Sequence, residues 1–379
     1  MSVITAVATR GVRYPAGPLH AERFGPDEEA CQVTLVAGDG TEGHAIARAH
    51  SGLSYRTVAE FVHGALAPLL LGRPAGSIDD VRSAWDTMMR LHLTQYVPIF
   101  PVSAVDVALW DLLGQTLGTP VAALLSDRPA SHIPVYASIP HEPTPHDAVT
   151  AAVKTFAEGF DGVKVHGTAD VDADLQVCRA LRHEFGDDRA LMYDGGQRMA
   201  RPDADRVAQT LGELAFAWFE EPFGAFDTDA YYWLTERCDI PIAAFETAPG
   251  GPGAARWAMQ QHLADYLMID CYWKGGLTGA NAVVETAAAA GQQLIMHHGG
   301  SATMNLANVH LVAAHPQLGR AEFLVPYGQY DPGITPIAID PGAGMQVPDQ
   351  PGLGVELDAA FLDAHTIAGS GQVTRKEML

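Results

Sequence analysis

The sequence has little positive charge, and lysine is the rarest of its charged residues. Its 379 residues include 23 Lys and Arg against 45 Asp and Glu, which gives a formal net charge of −22 at pH 7. No Lys/Arg-rich run occurs along the chain. Nucleic acids and anionic membranes are bound through basic surfaces, so we expect neither as a partner.

Cysteine and long apolar stretches are also scarce. The four cysteines are far apart and form no CxxC pair, so neither a zinc knuckle nor a disulfide framework is supported. The N-terminus lacks the apolar core of a signal peptide, and the longest apolar stretch, near residues 66–71, is short and contains Pro68. We therefore expect a cytoplasmic protein with reduced cysteines.

Apolar residues make up 47% of the chain, enough to bury a large core. From His132 onward, short apolar runs alternate with helical patterns, and a run begins every 24 to 30 residues. Eight such units are what the right-handed crossovers of a closed parallel barrel require. An open doubly wound sheet is disfavoured, because no Gly-x-Gly-x-x-Gly follows the first strand. The predicted strands are Ile133–Ile139, Gly162–His166, Ala190–Asp194, Ala217–Glu220, Pro241–Glu246, Tyr266–Asp270, Gln293–His297 and Ala321–Val325, and helices are predicted over Asp170–Phe185, Asp203–Leu214, Ala254–Leu263 and Thr278–Ala290.

Residues 1–130 differ in pattern and predict a separate α+β domain. Two β-like pieces, Ser2–Gly11 and Cys31–Ala37, flank a stretch rich in Arg, Pro and Gly, Arg13–Pro26, that predicts a loop. Apolar residues at helical spacing predict a helix over Val102–Leu117. We assign 131–326 to the barrel and expect the Pro/Gly-rich segment 327–379 to return toward the first domain.

Ionisable residues occupy the ends of the predicted strands, where a parallel barrel carries its active groups. One such residue is often a helix cap or a solvated side chain, but seven in register are hard to explain in that way. They predict an active site at one mouth of the barrel. The seven are His166, Asp194, Glu220, Glu246, Asp270, His297 and Glu322.

Three carboxylates follow consecutive strands of this set. Asp194, Glu220 and Glu246 offer only oxygen donors, with no thiolate or imidazole among them. Such ligands suit Mg²⁺ or Mn²⁺ rather than Zn²⁺. The sequence therefore predicts a hard divalent metal site.

Candidate acid and base groups flank the carboxylates. Lys164 and His166 are two apart in one strand, so both should point inward, although a buried lysine stem with its head in water is the alternative. On the other flank, Asp270 can fix the tautomer of His297 and stabilise its protonated form. His298 competes for that role, but strand alternation lets only one of the two histidines face the interior.

The ordered motifs GVKVH, YDGG, WFEEP, AAFET, IDCYWKGGLTG, MHHGG and AEFLVP resemble those of the enolase superfamily, mandelate racemase subgroup, over nearly the whole chain. SAVDVALWDLLGQTLGTPVAALL is similar to that family's signature at the end of its capping domain. Within the subgroup, DCYWKGG and His-x-Gly-Gly are most similar to acid-sugar dehydratases of the rhamnonate or fuconate kind.

The resemblance implies an α/β fold, a modified TIM barrel of (β/α)7β-like form with an N-terminal α+β capping domain, and usually a homo-oligomer. It implies one Mg²⁺ per subunit on the three carboxylates, an Asp270–His297 dyad, and Glu322 bonded to the substrate carboxylate or enediolate. The segments Arg13–Pro26 and Thr41–His50 would close over the substrate.

The chain departs from the family pattern at three places. The usual Lys-x-Lys is Lys-x-His here, which places His166 where a second lysine base is common. The usual Asp-x-Asn is Asp-Gly-Gly, ending at Gly196. Phe245 replaces a common glycine before Glu246.

The reaction that this site predicts is dehydration of a sugar acid to a 2-keto-3-deoxy acid. His166 or Lys164 would remove the proton α to the carboxylate, and protonated His297 would assist departure of the 3-hydroxyl; alternatively, His297 performs both steps. Racemisation or epimerisation of a 2-hydroxy or sugar acid could use the same residues. A ligand-binding barrel without turnover would lack the intact dyad. A glycoside hydrolase would need a second carboxylate at the seventh strand, where His297 stands.

Side chains outside the strand ends supply weaker candidates for substrate contact. Arg13 could bind a carboxylate or hydroxyl, and Trp273 could stack on a sugar face, although packing is the more common role of such a tryptophan. Four further histidines are more typical of ordinary loop residues. They are His20, His44, His50 and His141.

Overall fold

The computed structural model of the protein describes residues 3–49, 52–168, 170–248, 250–299, 302–367 and 371–374. It contains a four-stranded antiparallel sheet, an eight-stranded parallel sheet and a small three-stranded sheet. The parallel sheet is the predicted barrel, and the four-stranded sheet with its helices is the predicted α+β cap. The fold class expected from the sequence is therefore confirmed.

The antiparallel sheet of the capping domain consists of Ile4–Pro15, Asp27–Ala37, Glu42–Arg48 and the C-terminal strand Gly371–Thr374. Gly371–Thr374 pairs antiparallel with Ile4–Pro15, so the end of the chain returns to its beginning.

The prediction of a loop over Arg13–Pro26 is wrong. The first strand continues to Pro15, because its pairing with the second strand runs in register as far as Pro15 opposite Asp27. A short helix follows over Pro18–Phe24, with proline in its first turn, where a fixed φ and a missing N–H are tolerated. Most of the predicted loop Thr41–His50 is likewise a strand, and His50 lies outside the described residues.

A long helix, Ile99–Leu117, forms the centre of the capping domain and confirms the helix predicted over Val102–Leu117. It is buried without interruption from Pro101 to Gly114, because the antiparallel sheet covers one side and a barrel helix covers the other. None of the helices among the described residues has the length and apolar character needed to cross a membrane. The remaining helical segments of this domain are Arg56–Phe61, a π-helical turn over Val62–Leu66, Ala67–Leu70, Ile78–Gln95 and Val121–Leu125.

All eight predicted barrel strands are present, each parallel to its neighbours. The eighth strand pairs with the first, and the seventh and eighth strands are the two ends of this nearly closed sheet. In order, barrel strands 1 to 8 are Val135–Ser138, Gly162–His166, Ala190–Asp194, Phe219–Glu220, Ile242–Ala244, Tyr266–Ile269, Gln293–Met296 and Ala321–Leu324.

Helices pack around the barrel after strands 1 to 7. Four of these helices are predicted from the sequence, and their bounds agree with the prediction to within a few residues. They are Pro145–Ala157, Val171–Phe185, Arg201–Glu213, Thr228–Thr235, Gly251–Gln261, Gly276–Ala290 and Thr303–Ala314, with short 3-10 turns at Gly186–Asp188 and Pro316–Leu318.

Strand 4 begins later than the sequence predicts and ends at the predicted Glu220, whereas strand 5 ends earlier than predicted, at Ala244. Glu221 has φ 41° and Phe245 has φ 76°, so each leaves the β region directly after its strand. Left-handed conformations are uncommon for residues with a β-carbon, and here they occur next to two of the predicted metal ligands.

The segment after strand 8 serves both domains. Its strands Ile339–Asp340 and Gly344–Gln346 form the small sheet with His132–Ile133 at the start of the barrel. The helix Ala359–His365 lies beside the first strand of the cap, where Asp363 pairs with Arg10 at 3.0 Å.

The capping domain holds the barrel at the start of the helix Gly276–Ala290. That helix has no capping side chain of its own, and Asp106 of the capping helix takes this role. The Asp106 carboxylate accepts hydrogen bonds from the Thr278 backbone N–H at 2.9 Å and from its hydroxyl at 2.6 Å. Burial raises the pKa of Asp106 to about 7 although these hydrogen bonds oppose the shift, and its ionised form is favoured by the positive end of the helix dipole.

Replacing Gly276 with alanine should disrupt this contact. Gly276 has φ 85°, and a β-carbon there would lie 2.3 Å from Asp106 Oδ2. We expect Gly276→Ala to lower the free energy of unfolding by about 1–3 kcal/mol, the usual cost of a strained backbone residue. Urea denaturation measures the change. The matched control is Gly212→Ala, since Gly212 is exposed in a helix with open space around it. Equal stability of the two variants would contradict the predicted role of the contact.

Candidate active site

The carboxyl ends of strands 2 to 8 bring the predicted charged residues into one buried network of ion pairs. Strand register aligns three of them directly, with His166 opposite Asp194 and Asp194 opposite Glu220. The network contains more carboxylates than cations, so the position of every positive charge matters.

Lys164 lies at the centre of the network and is only 1% exposed. Its ammonium contacts Glu220 Oε1 and lies 2.7 Å from Glu322 Oε1. Burial alone would lower the pKa of Lys164, but these two carboxylates outweigh burial and raise it, so the side chain is a cation. Because the head group is buried, the alternative of a lysine reaching water is wrong.

Glu220 is completely buried and accepts hydrogen bonds from two donors. Besides Lys164, the Trp218 indole N–H donates to Glu220 Oε2 at 3.0 Å. Burial, together with the nearby carboxylates of Asp194 and Glu322, raises the pKa of Glu220 to about 8 in spite of Lys164. The carboxylates therefore repel one another, and this arrangement favours added positive charge.

His166 links the second and third strands. Its Nδ1 lies 2.9 Å from Asp194 Oδ2, and its Nε2 lies 2.7 Å from the Ser138 hydroxyl. Burial lowers the pKa of His166 although Asp194 opposes this, so the ring is neutral. Asp194 Oδ1 accepts a hydrogen bond from the Gly196 N–H at 2.7 Å. Gly196 has φ 64°, a conformation that both glycine and the family's usual asparagine tolerate.

His297 forms the predicted pair with Asp270. Its Nδ1 lies 2.8 Å from Asp270 Oδ2, and its Nε2 lies 3.2 Å from Glu246 Oε2. Burial opposes protonation, but Glu246 and Asp270 outweigh it and raise the pKa of His297 to about 10. A β-carbon at Gly299 would lie 2.1 Å from the Asp270 carboxyl group, which explains the glycine two residues after His297.

His298 does not compete for Asp270. Its ring packs near Phe323, with the ring centroids 6.5 Å apart, and neither ring nitrogen has a hydrogen-bond partner among the described residues. Only its backbone joins the site, because the His298 N–H donates to Glu322 Oε2 at 2.9 Å. Lys164 and His297 outweigh the burial of Glu322 and lower the pKa of that carboxyl group to about 2.

The predicted metal ligands lie at the ends of neighbouring strands, but each contacts a different nitrogen-bearing side chain. Asp194 pairs with His166, Glu220 with Lys164 and Glu246 with His297. Within the part of the chain that the structure describes, no three His, Cys, Asp or Glu side chains are grouped closely enough to hold a metal ion as they stand. The all-oxygen donor set and the excess of negative charge nevertheless fit a hard divalent cation.

The structure does not bring Arg13 to this network. Its guanidinium lies 2.6 Å from Glu29 Oε1 on the neighbouring strand of the cap, and its side chain is 58% exposed. Trp273 lies near the site: its backbone N–H donates to Asp270 Oδ1 at 2.6 Å, and its ring meets Tyr272 edge to face.

The sequence interpretation missed a buried polar group on the cap. His20, expected to be an ordinary loop residue, lies on the short helix Pro18–Phe24 and is 7% exposed. Its Nδ1 is 3.0 Å from Glu28 Oε2, and Arg48 Nη1 is 2.6 Å from its Nε2. Glu28 and Arg48 both point inward from their strands, and this could have indicated a buried polar group. Their inward position can be inferred only once the strand register is known.

A cavity of ≈ 250 Å³ separates that helix from the mouth of the barrel. A larger cavity of ≈ 550 Å³ adjoins it and shares the side chains of Glu22, His141, His166 and Thr168. The smaller cavity is lined by Leu19, Glu22, Arg23, His141, His166, Gly167, Thr168 and Arg198.

Removal of the central cation should destabilise the protein strongly. In the presence of a chelator at neutral pH, we expect Lys164→Met to reduce the free energy of unfolding by about 3–5 kcal/mol, because Glu220 and Glu322 lose a buried partner. Lys154→Met is the matched control, since the Lys154–Glu158 pair is 3.8 Å long and its lysine is 73% exposed. That variant should change stability by less than about 0.5 kcal/mol. Comparable urea midpoints for the two variants would show that the ion pairs of Lys164 contribute little.

Models of known protein families match both domains of this chain. Residues 4–126 match the family model "Mandelate racemase / muconate lactonizing enzyme, N-terminal domain", and residues 147–361 match "Enolase C-terminal domain-like". An L-rhamnonate dehydratase of Saccharopolyspora erythraea is 28% identical over 377 residues, which cover 93% of this chain and 89% of the relative.

Solved structures share the whole architecture. The L-talarate dehydratase of Polaromonas sp. JS666, solved with Mg and L-glucarate, has a TM-score of 0.83 and 25% identity, with 99% of each chain covered. A racemase of Streptomyces coelicolor A3(2) with bound magnesium has a TM-score of 0.84 and 26% identity, over 96% of this chain and 100% of that one. Because the two family models together match most of its length, the chain belongs to the mandelate racemase/muconate lactonizing enzyme family of the enolase superfamily.

Proposed function

We propose that the protein is a Mg²⁺-dependent dehydratase that converts a sugar acid into a 2-keto-3-deoxy acid. The observation that carries the proposal is the position of His297, which is bonded to Asp270 and lies 3.2 Å from Glu246. A proton donor and a candidate metal ligand thus face the same point at the mouth of the barrel. The dehydratase and racemase relatives with bound magnesium support this reading of the site.

Asp194, Glu220 and Glu246 are the residues that would hold the cation. When bound, Mg²⁺ supplies Lewis-acid stabilisation of the negative charge that develops on the substrate carboxylate. The buried Lys164 ammonium, paired with Glu220 and Glu322, would supply further positive charge to the same site.

We assign removal of the proton α to the carboxylate to His166. Lys164 cannot accept a proton while two carboxylates hold its ammonium, whereas the His166 ring lies on the same inward face of the strand. The Ser138 hydroxyl at 2.7 Å orients this ring and would have to release Nε2 for it to accept a proton. Its link to Asp194 places the base beside a candidate metal ligand.

His297 acts as the acid on the opposite side. Asp270 holds its Nδ1, which leaves Nε2 as the atom that delivers a proton to the departing 3-hydroxyl. Loss of water gives an enol, which tautomerises to the 2-keto-3-deoxy acid. If His297 instead performed both steps, His166 and Lys164 would serve only to orient and neutralise the substrate.

The proposal is tested by incubating the protein with Mg²⁺ and a library of sugar acids in D₂O. Formation of a 2-keto acid supports dehydration. Deuterium at C2 of recovered substrate or of its epimer, with no keto acid formed, would assign the site to epimerisation instead. Absence of both products and of exchange across the library would refute an enzymatic role on these acids.

Replacing His297 should separate the two proton transfers. We expect His297→Asn to lower the dehydration rate by ~10²–10⁴, as loss of one acid/base group usually does. Exchange of the C2 proton with D₂O should persist, because His166 remains. His262→Asn is the control, since His262 is exposed and has φ 52°, which asparagine tolerates. Loss of both dehydration and exchange would show that His297 performs both steps, and near-normal turnover would remove it from the mechanism.

A further inference from the structure

Two buried ionisable residues that have no part in the proposed chemistry hydrogen-bond to the backbone of Phe245 and Glu246. We propose that Glu221 and Lys274 are positioning residues that hold the carboxylate of Glu246 in place to bind the cation. This inference rests on the proposed function, because it assumes that Glu246 is a metal ligand. It concerns the backbone that carries the ligand rather than the ligand itself.

Glu221 binds the N–H side of this segment. Its Oε1 accepts hydrogen bonds from the backbone N–H of Phe245 and, at 3.3 Å, from that of Glu246. Glu221 is 1% exposed, and its Oε2 has no hydrogen-bond partner among the described residues. A single oxygen atom therefore accepts from two consecutive donors that directly follow the neighbouring strand.

Lys274 binds the carbonyl side of the same segment. Its Nζ donates to the Phe245 carbonyl at 2.9 Å and to the Glu246 carbonyl at 2.6 Å. Lys274 is 2% exposed, so water cannot replace it as the donor to these carbonyls without opening the structure. The two side chains thus fix all four backbone polar groups of the residues Phe245 and Glu246.

The segment needs such support because its backbone is strained. Phe245 has φ 76°, which a residue with a β-carbon rarely adopts, and the strand ends one residue earlier at Ala244. Neither the backbone preference of Phe245 nor strand pairing fixes the direction of the chain at Glu246. The hydrogen bonds from Glu221 and Lys274 supply that constraint where the family's usual glycine is absent.

Lys274 also connects the candidate metal ligand to the acid. It lies in the turn that begins at Asp270, and the Trp273 N–H in that turn bonds to Asp270 Oδ1 at 2.6 Å. The turn is held from the capping domain, where the Ser103 hydroxyl bonds to the Tyr272 carbonyl at 2.7 Å. One rigid turn therefore sets the relative position of Glu246 and Asp270.

The test measures Mg²⁺ affinity of the full-length protein by calorimetry after its metal has been stripped. We expect Lys274→Met to raise the Mg²⁺ Kd on the order of 10–100-fold, the usual effect of removing a residue that orients a metal ligand. Glu246→Gln is the positive control for a weakened site. Lys154→Met is the matched control, because it removes an exposed lysine. A folded Lys274→Met protein, checked by circular dichroism, with the wild-type Kd would overturn the proposal.

A second pair of variants tests the opposite side of the segment and is decisive if Lys274→Met does not fold. Glu221→Gln keeps an oxygen acceptor and should retain the Mg²⁺ affinity of the wild-type protein, whereas Glu221→Ala should raise the Kd. If the charge of Glu221 rather than its acceptor oxygen set the affinity, Glu221→Gln would also raise the Mg²⁺ Kd. Equal Mg²⁺ affinities for the two variants would overturn the role of Glu221.

These outcomes are distinct from failure of the proposed function. Metal affinity is measured without substrate, so an unchanged Kd in the variants refutes the positioning role even if the wild-type protein dehydrates a sugar acid. Conversely, weakened Mg²⁺ binding in the variants supports the positioning role even if no sugar acid in the library reacts.

Discussion

The double ion pair of Lys164 with Glu220 and Glu322 is the interaction on which the rest of the site depends. Taking these groups out of water is costly unless the geometry of the pairing is good, and strands 2, 4 and 8 must align their ends to provide it. Two further carboxylates contact histidines beside this pair, Asp194 with His166 and Glu246 with His297. Only the second of these histidines is protonated, so the site holds an excess of negative charge. The ends of the strands serve stability and chemistry together.

The capping domain supports the turn between strand 6 and the following helix through hydrogen bonds. Ser103 bonds to the Tyr272 carbonyl in that turn, Trp85 donates to the Gly275 carbonyl at 2.5 Å, and Asp106 accepts from Thr278 at the start of the helix. That turn carries Asp270 at its start and Lys274 near its end. The cap is therefore a structural support for the dyad as well as a cover over the mouth, and the buried group of His20, Glu28 and Arg48 forms part of the cover.

Much of the fold and site could be predicted, because both depend on sequence periodicity. Strand ends follow from the spacing of apolar runs, and once a parallel barrel is assumed, the residues at those ends must meet. What could not be predicted depends on the path of the backbone. Arg13 is held by Glu29 because the first strand continues to Pro15, which a stretch rich in arginine, proline and glycine does not reveal. Lys274 donates to two backbone carbonyl groups. Every residue has such a carbonyl, so the sequence does not reveal which ones Lys274 contacts. Strand 5 ends early because Phe245 adopts a positive φ, for which the sequence shows only that an expected glycine is missing.

The hydrogen bonds between Asp106 and Thr278 also bear on how such proteins can be recombined. A chimera that joined this barrel to the cap of another member would leave the first turn of a barrel helix without its acceptor, unless the donor cap carried a carboxylate at the same place. The buried face of the long helix would have to be transferred together with the barrel turn and helix that it supports. Compatibility between a cap and this barrel therefore depends on one buried carboxylate at the domain boundary.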